Sequence, residues 1–155
     1  MAQPAPDGGY SVPFFINGKE VRPERSFQVV SPATGKVVHK SGSASAADVR
    51  AATDAAANAF KTWRKSLPKQ RRDIFLKAAE VMERRKDELA QYMMSETGAS
   101  RQWADFNVNT ARELILDVAG RVATIEGSLP TAADPNTGAM ILKEPFGVIL
   151  AIAPW

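Results

Sequence analysis

The sequence predicts a mixed α/β chain, because three kinds of pattern follow one another along its 155 residues. Short apolar runs flank turn residues before Ser45, which is typical of β-hairpins. Apolar residues at helical spacing then fill three segments as far as Ile125. Two further apolar runs close the sequence. The predicted order is therefore β-hairpins, three helices and a last β-hairpin.

The composition is that of a globular protein, with 45% hydrophobic and 24% charged residues. Cysteine is absent, which removes disulfides, thiolate metal ligands and a cysteine nucleophile from these residues and fits a reducing compartment. The single histidine, His39, cannot form a site of several histidines, and we predict no metal site. No signal peptide and no apolar run of roughly 18 residues is visible. We therefore expect a cytoplasmic protein without a membrane partner.

Positive charge is concentrated in one stretch, KTWRKSLPKQRR at positions 61–72, within a chain of net charge +3. One interpretation is an acidic or nucleic-acid partner. The other is a solvated helix end, with acids nearby at Asp73, Glu80 and Glu83. Because the rest of the chain interleaves the two signs of charge, we favour the second interpretation and predict no nucleic-acid partner.

The amino-terminal part predicts a lead-in and two hairpins. Residues 1–13, rich in proline and glycine, are expected to be disordered. The stretch FFINGKEV then flanks Asn17-Gly18 with apolar residues, and this pair tolerates the positive φ angles of a type I′ turn. Apolar runs at 27–30 and 37–38 flank turn residues at 32–35, which predicts a second hairpin.

Capping and stop signals delimit the first two predicted helices. The first begins at a capping box formed by Ser45 and Asp48, and its apolar face extends to Trp63. The second opens with Pro68, where a missing N–H costs little. Its apolar face continues until Gly98, a residue that commonly ends helices.

The third helix and the last hairpin complete the prediction. Apolar residues at helical spacing extend from about Arg101 to Ile125, interrupted by Gly120. After a loop, AMILKEPFGVILAIAPW predicts strand, turn and strand. Residues 148–152 are apolar on both faces, as in a central parallel strand, and such a strand needs neighbours that this sequence lacks. We therefore expect the chain to be cut from a longer one.

No catalytic set can be assigned from the residues alone, since GxGxxG, GxxxxGK[ST] and HExxH are absent. Several stretches nevertheless resemble, in order and spacing, the N-terminal part of the aldehyde dehydrogenase superfamily. These are INGKEV, SPATGKVV, the helical region from SASAADVR to YMMSETG, and LKEPFGVILAIAPW. The stretch SETGASRQWADFNVNTA looks most like the branch acting on aromatic aldehydes, the salicylaldehyde and vanillin dehydrogenases.

The resemblance implies that the chain is the truncated N-terminal part of an α/β dehydrogenase. Residues 14–155 would belong to its cofactor-binding domain. They would include part of an oligomerisation arm near 128–145, and they would end with the first strand of the dinucleotide-binding sheet. It implies oxidation of an aldehyde to a carboxylic acid with NAD or NADP by a homo-oligomer. In the family a Cys thiolate attacks the aldehyde, an Asn helps to hold the oxyanion and a Glu activates water. None of these positions lies in this chain, so we expect no catalytic residue and no turnover by the 155 residues alone.

The resemblance also implies a cofactor contact at the end of the chain. By this resemblance the cofactor-binding residues are Ile152, Ala153, Pro154 and Trp155. Their other interpretation is a β-strand that enters a turn. Glu96 resembles an acidic position that holds a structural cation in some family members, against the alternative of a solvated acid at a helix end.

A substrate role is implied for the third helix, which borders the substrate tunnel in the family. Trp103, Phe106 and Thr110 lie on or near one of its faces, and an aromatic aldehyde can stack on such a surface. Ordinary helix packing is the alternative. Two other functions stay open: a truncated, non-catalytic paralogue that adds its free strand to full-length subunits, and a nucleic-acid binder that uses residues 61–72.

Overall fold

The computed structural model describes residues 11–153, which form two small sheets followed by a layer of helices. The strands are β1 (Ser11–Val12), β2 (Phe14–Ile16), β3 (Lys19–Val21), β4 (Arg25–Val30) and β5 (Val37–Ser43). The helices are α1 (Ala46–Trp63), α2 (Pro68–Arg84), α3 (Lys86–Thr97) and α4 (Arg101–Arg121), and a 3₁₀ turn follows at Val122–Thr124.

The first predicted hairpin is confirmed as the antiparallel pair β2–β3, in which Phe14 faces Val21. Its turn residues Asn17 and Gly18 have φ angles of 52° and 75°. Both values lie in the left-handed region, which asparagine and glycine tolerate better than other residues. Local turn chemistry therefore determines the pairing of this hairpin.

The second hairpin is also confirmed, as β4–β5, and it is longer than the apolar runs that predicted it. Its turn is closed by the N–H of Gly35, which donates to the carbonyl of Ser31 at 2.8 Å. Gly35 has a φ of 68°. The two strands extend beyond the predicted runs because polar residues such as Lys40 continue the backbone ladder.

The predicted lead-in is ordered at its end. Ser11 and Val12 form β1, which pairs in parallel with Lys40 and Ser41 of β5, so the sheet order is β1-β5-β4. The prediction of disorder was therefore wrong for these two residues, because backbone pairing with β5 orders them without any local sequence signal. The rest of the lead-in, residues 1–10, lies outside the described residues.

The first predicted helix is confirmed with its cap. The side-chain oxygen of Ser45 accepts from the N–H of Asp48 at 3.2 Å, and Asp48 accepts from the N–H of Ser45 at 2.8 Å. The hydroxyl of Ser45, and then its N–H, hold the pKa of Asp48 below its usual range. This capping box fixes where the chain leaves β5 and enters α1.

The second predicted helix is two helices, so the prediction of three helices was wrong. The backbone leaves helical geometry at Arg85, with φ −104° and ψ 15°, and α3 starts directly after it. The guanidinium of Arg85 donates to both carboxylate oxygens of Glu88 at 2.7 Å, which stabilises the start of α3. Apolar spacing continues across the break, and for this reason periodicity does not reveal it.

The core lies between α2, α3 and α4 and is built from small side chains. Four alanines on these helices are at most 1% exposed, and α1 contributes no buried residue. These are Ala79, Ala90, Ala104 and Ala119. Large apolar side chains are mostly outside this core: Phe15 is 74% exposed, Leu114 60% and Phe146 99%.

The predicted last hairpin does not form within the described residues. Between 125 and 153 the pairing is a single bridge, in which the backbones of Ser128 and Ile141 exchange hydrogen bonds of 3.0 and 2.8 Å. Residues 148–152 adopt no strand, and Leu150 is 85% exposed. A strand needs a neighbour to satisfy its backbone, and the described residues offer none there. No helix among residues 11–153 is long and apolar enough to cross a membrane.

Two glycines, one at the end of α3 and one inside α4, allow a matched test of the left-handed cap of α3. Gly98 ends α3 with a φ of 72°, and a Cβ there would lie 3.1 Å from Pro32 Cγ. Gly120 lies within α4, where a Cβ would meet nothing within 4 Å. We expect Gly98→Ala to lower the free energy of unfolding by about 1–2 kcal/mol and Gly120→Ala to raise it by about 0.5–1 kcal/mol. Urea unfolding followed by circular dichroism measures both, and equal effects would contradict the assignment of the left-handed cap.

Candidate functional site

The predicted substrate residues lie on α4, and the start of this helix has a side-chain cap and two ion pairs. The hydroxyl of Ser100 caps it by accepting from the N–H of Trp103 at 3.2 Å. The guanidinium of Arg101 donates to Asp105 of the next turn at 2.8 Å and also to Asp87 of α3. Asp105 and then Asp87 raise the pKa of Arg101, and Arg101 lowers the pKa of Asp105. These contacts join the amino-terminal ends of α3 and α4.

Trp103 and Phe106 form a stacked aromatic pair on the outer face of α4. Their ring centroids are 5.4 Å apart and their planes are inclined by 27°. Trp103 is 48% exposed and Phe106 is 55% exposed, and Thr110 is exposed one turn further along. The opposite face of the helix carries the buried Ala104. The two rings therefore form an open aromatic surface rather than part of the core.

A cavity of 290 Å³ lies on the neighbouring side of α4, between α2, α3 and α4. Its volume is at the lower end of small-molecule sites in proteins. The lining is mostly apolar, with the polar side chains of Glu96 and Asn107 at its wall. From α4 it uses Asn107, Val108 and Ala111, and not Trp103, Phe106 or Thr110.

Sequence reasoning missed this cavity. Met82, Leu89 and Met93, which line it, belong to the segment for which the sequence predicts one continuous helix as far as Gly98. The break at Arg85 places that segment on two helices, and α4 closes the space between them. The sequence signal that could have indicated the cavity is its cluster of methionines, because these flexible side chains often line adaptable apolar sites.

Glu96 has a protein neighbour at the end of α3. Its Oε1 lies 3.4 Å from Nε2 of His39, a side chain that is almost fully buried in β5. No group of three or more metal-ligating side chains occurs among residues 11–153. The contact joins the sheet to the helical layer, which gives Glu96 a structural interpretation beside the predicted cation contact.

The predicted cofactor residues lie at the end of the described chain. Ile152 is 84% exposed and Ala153 is exposed, and neither belongs to a strand. Pro154 and Trp155 lie outside the described residues. Because Ile152 and Ala153 do not by themselves enclose a dinucleotide, the residues described here do not fit a complete cofactor site. Their contact with NAD or NADP stays a prediction.

Comparison with known proteins identifies the class of this fold. The profile of the aldehyde dehydrogenase family matches residues 19–155. The chain is 38% identical over 148 residues to a vanillin dehydrogenase from a Pseudomonas strain, an alignment that covers 94% of this chain and 31% of that protein. The chain therefore belongs to the aldehyde dehydrogenase family.

Solved structures agree with this assignment. A salicylaldehyde dehydrogenase from Pseudomonas putida G7, complexed with salicylaldehyde, matches with a TM-score of 0.82 and 31% identity over 87% of this chain and 28% of its own. A NAD-dependent benzaldehyde dehydrogenase from Corynebacterium glutamicum matches with a TM-score of 0.75 and 26% identity over 82% and 28%. The fold is thus the N-terminal part of the aldehyde dehydrogenase fold, as predicted, and the chain spans about a third of the length of its relatives.

The aromatic pair on α4 can be tested without any activity. We expect a double-mutant cycle of Trp103→Leu and Phe106→Leu to give a coupling of about 0.5 kcal/mol, the low end for aromatic pairs because both rings are exposed. Urea unfolding of the four proteins measures it. The matched control is a second cycle that combines Trp103→Leu with Phe27→Leu, because Phe27 is an exposed phenylalanine on β4. We expect no coupling in this second cycle. Equal coupling in both cycles would show that the rings do not interact specifically.

Proposed function

We propose that this chain is part of an enzyme that oxidises aromatic aldehydes to carboxylic acids with NAD or NADP. Membership of the family supports the oxidation of an aldehyde. The aromatic class is supported by the relatives, which are named for vanillin, salicylaldehyde and benzaldehyde. These names describe the relatives, and the extension to this chain is our proposal.

The single observation that carries the aromatic proposal is the exposed stack of Trp103 on Phe106. Two exposed rings that stack on one another offer an apolar surface, and an aromatic aldehyde can stack on such a surface. Thr110, one turn away on the same face, adds a hydroxyl that can donate to a polar substituent of the ring.

The proposed role of Ile152, Ala153, Pro154 and Trp155 is to contact the nicotinamide cofactor, which accepts hydride when it is bound. A cofactor needs more protein around these residues than residues 11–153 supply. We also propose a homo-oligomer assembled partly through the arm near 128–145, in the cytoplasm and without nucleic-acid or membrane partners.

The 155 residues alone are proposed to be inactive. The sequence contains no cysteine, so no thiolate is available to attack an aldehyde carbonyl. The general-base Glu and the oxyanion-stabilising Asn that the resemblance implies match no position of this chain. In this proposal the 155 residues contribute contacts to the aldehyde and to the cofactor. The groups that make and break bonds belong to other residues of the complete enzyme.

The test reads the encoding transcript beyond the codon of Trp155 and expresses its complete product. We expect an Asn codon next, with Cys and Glu codons later, and NAD(P)H formation at 340 nm with salicylaldehyde or vanillin. Trp103→Leu should lower kcat/KM for the aromatic aldehydes by about threefold to tenfold, because ring stacking is lost, and change propanal oxidation less.

Two controls accompany this experiment. Phe27→Leu, an exposed substitution on β4, should leave kcat/KM unchanged, and the 155-residue chain alone should form no NAD(P)H. Loss of activity with aromatic and aliphatic aldehydes in equal proportion would count against a stacking role for Trp103. A transcript without later Cys and Glu codons would remove the catalytic proposal.

A second candidate function is an interaction module, a non-catalytic paralogue that binds full-length subunits. The observation in its favour is the exposed apolar segment 146–152, in which Phe146 is 99% exposed and no residue pairs in a strand. An extended apolar segment of this kind can add to the open edge of a partner sheet.

Co-expression with a full-length family member tests the interaction module. Stable co-purification is expected if the segment adds to a partner sheet, and Leu150→Lys should abolish it, because a charge would enter the new interface. Lys36→Glu, an exposed position in the turn between β4 and β5 and outside the arm near 128–145, serves as the charge-changing control. A monodisperse monomer that binds no subunit would rule this function out.

A further inference from the structure

A second cavity lies at the corner where α1 ends and α2 begins. Its volume is 410 Å³, and its wall is completed by the 3₁₀ turn and by residues 143–145. The floor is apolar: it includes the rings of Phe60 and Trp63 and the almost fully buried Val122. Trp103, Phe106 and Thr110, the residues of the proposed substrate surface, do not line this cavity, and neither do Ile152 and Ala153.

Three cationic side chains line the same cavity. The guanidinium carbon of Arg64 lies 5.5 Å from the ring centroid of Phe60, in cation–π geometry. Arg71 donates from Nη1 to the carbonyl and, at 3.2 Å, to the hydroxyl of Ser66, which fixes its position at the start of α2. Lys143 also lines the cavity. One nitrogen of Arg71 is thus engaged, while a guanidinium offers five N–H donors.

The positive charge at this corner is not neutralised by the acids nearby in sequence. Positions 61–72 contain no acidic residue. Asp73 pairs with Lys69, Glu80 lies 2.7 Å from Lys77, and Glu83 lies 2.9 Å from Arg112. Among residues 11–153, no carboxylate oxygen lies within 4.0 Å of the charged nitrogens of Arg64, Arg71 or Lys143. This includes the carboxylate of Glu144, which lines the same cavity. The lining therefore carries three positive charges and one negative charge.

We propose that this cavity is a binding site for a small aromatic carboxylate. The ring would pack against Phe60 and Trp63, and the carboxylate would accept from the guanidiniums of Arg64 and Arg71 and from Lys143. Guanidinium groups match carboxylates because their N–H donors lie in one plane. The concave shape favours a compact anion over a long polyanion, which needs an extended positive groove. The proposal gives Arg64 and Arg71 of the basic stretch a ligand in addition to the contacts that they make with Phe60 and Ser66 in the fold.

Titration of the 155-residue chain with benzoate, followed by calorimetry and by saturation-transfer NMR, tests the site. We expect saturable binding with a Kd in the millimolar range or below. Benzamide, which keeps the ring without the charge, and acetate, which keeps the charge without the ring, should each bind at least tenfold more weakly. Raising the salt concentration should weaken binding of benzoate, because the cations are partly exposed.

Charge-removing variants locate the site. Arg64→Met and Lys143→Met should each weaken benzoate binding about threefold to tenfold, and Arg71→Lys, which keeps the positive charge, should weaken it less. Lys69→Met is the matched control: it removes a cation from the same basic stretch, but one that pairs with Asp73 outside the cavity. Circular dichroism of each variant verifies that the helices are intact.

Three results would overturn the proposal. They are equal affinity for benzoate and benzamide, an equal effect of Lys69→Met and Arg64→Met, and displacement of benzoate by a short single-stranded oligonucleotide that itself binds with a steep salt dependence. The binding measurement needs no turnover, so its result is independent of whether the proposed dehydrogenase activity is correct.

Discussion

Close packing of α2, α3 and α4 through alanines is the interaction on which the rest of the structure depends. Ala79, Ala90, Ala104 and Ala119 are almost completely buried, and their methyl groups let the helix axes approach closely. This contact sets the direction of α4 and leaves a narrow cavity beside Asn107. It also decides that the aromatic pair Trp103–Phe106 points away from the core. The orientation of the candidate substrate surface therefore follows from residues that themselves carry no chemistry.

A core of alanines buries little apolar area, and the consequence is visible over the whole surface. Large side chains that ordinarily fill a core, such as Leu114, Phe146 and Leu150, are exposed. Exposed apolar area of this extent is typical of surfaces that pack against other protein. The two candidate functions are two ways of covering it, by the remainder of a dehydrogenase or by a separate subunit. The cavity at the α1–α2 corner differs from these surfaces, because three cationic side chains and one acidic side chain line it together with aromatic rings.

Local signals predicted the parts of the fold that depend on neighbouring residues. The Asn17-Gly18 turn and the box formed by Ser45 and Asp48 are correct because both involve residues at most three positions apart. The break at Arg85 was not predicted, since the apolar spacing is the same on both sides of it. Of the candidate site, the sequence placed Trp103, Phe106 and Thr110 on one helix face, whereas the neighbouring cavity needs residues from three helices.

By itself the sequence determined the turns, the caps, the helical segments and the family to which the chain belongs. These follow from backbone preferences and side-chain patterns that act over a few residues, or from motifs in a fixed order. Only the tertiary structure decided which helix faces meet, that Ser11–Val12 join β5, and that residues 148–152 stay unpaired. The physical reason is the same in each case: a strand or a helix face becomes stable only when a partner covers it, and the identity of that partner is not written in the segment itself.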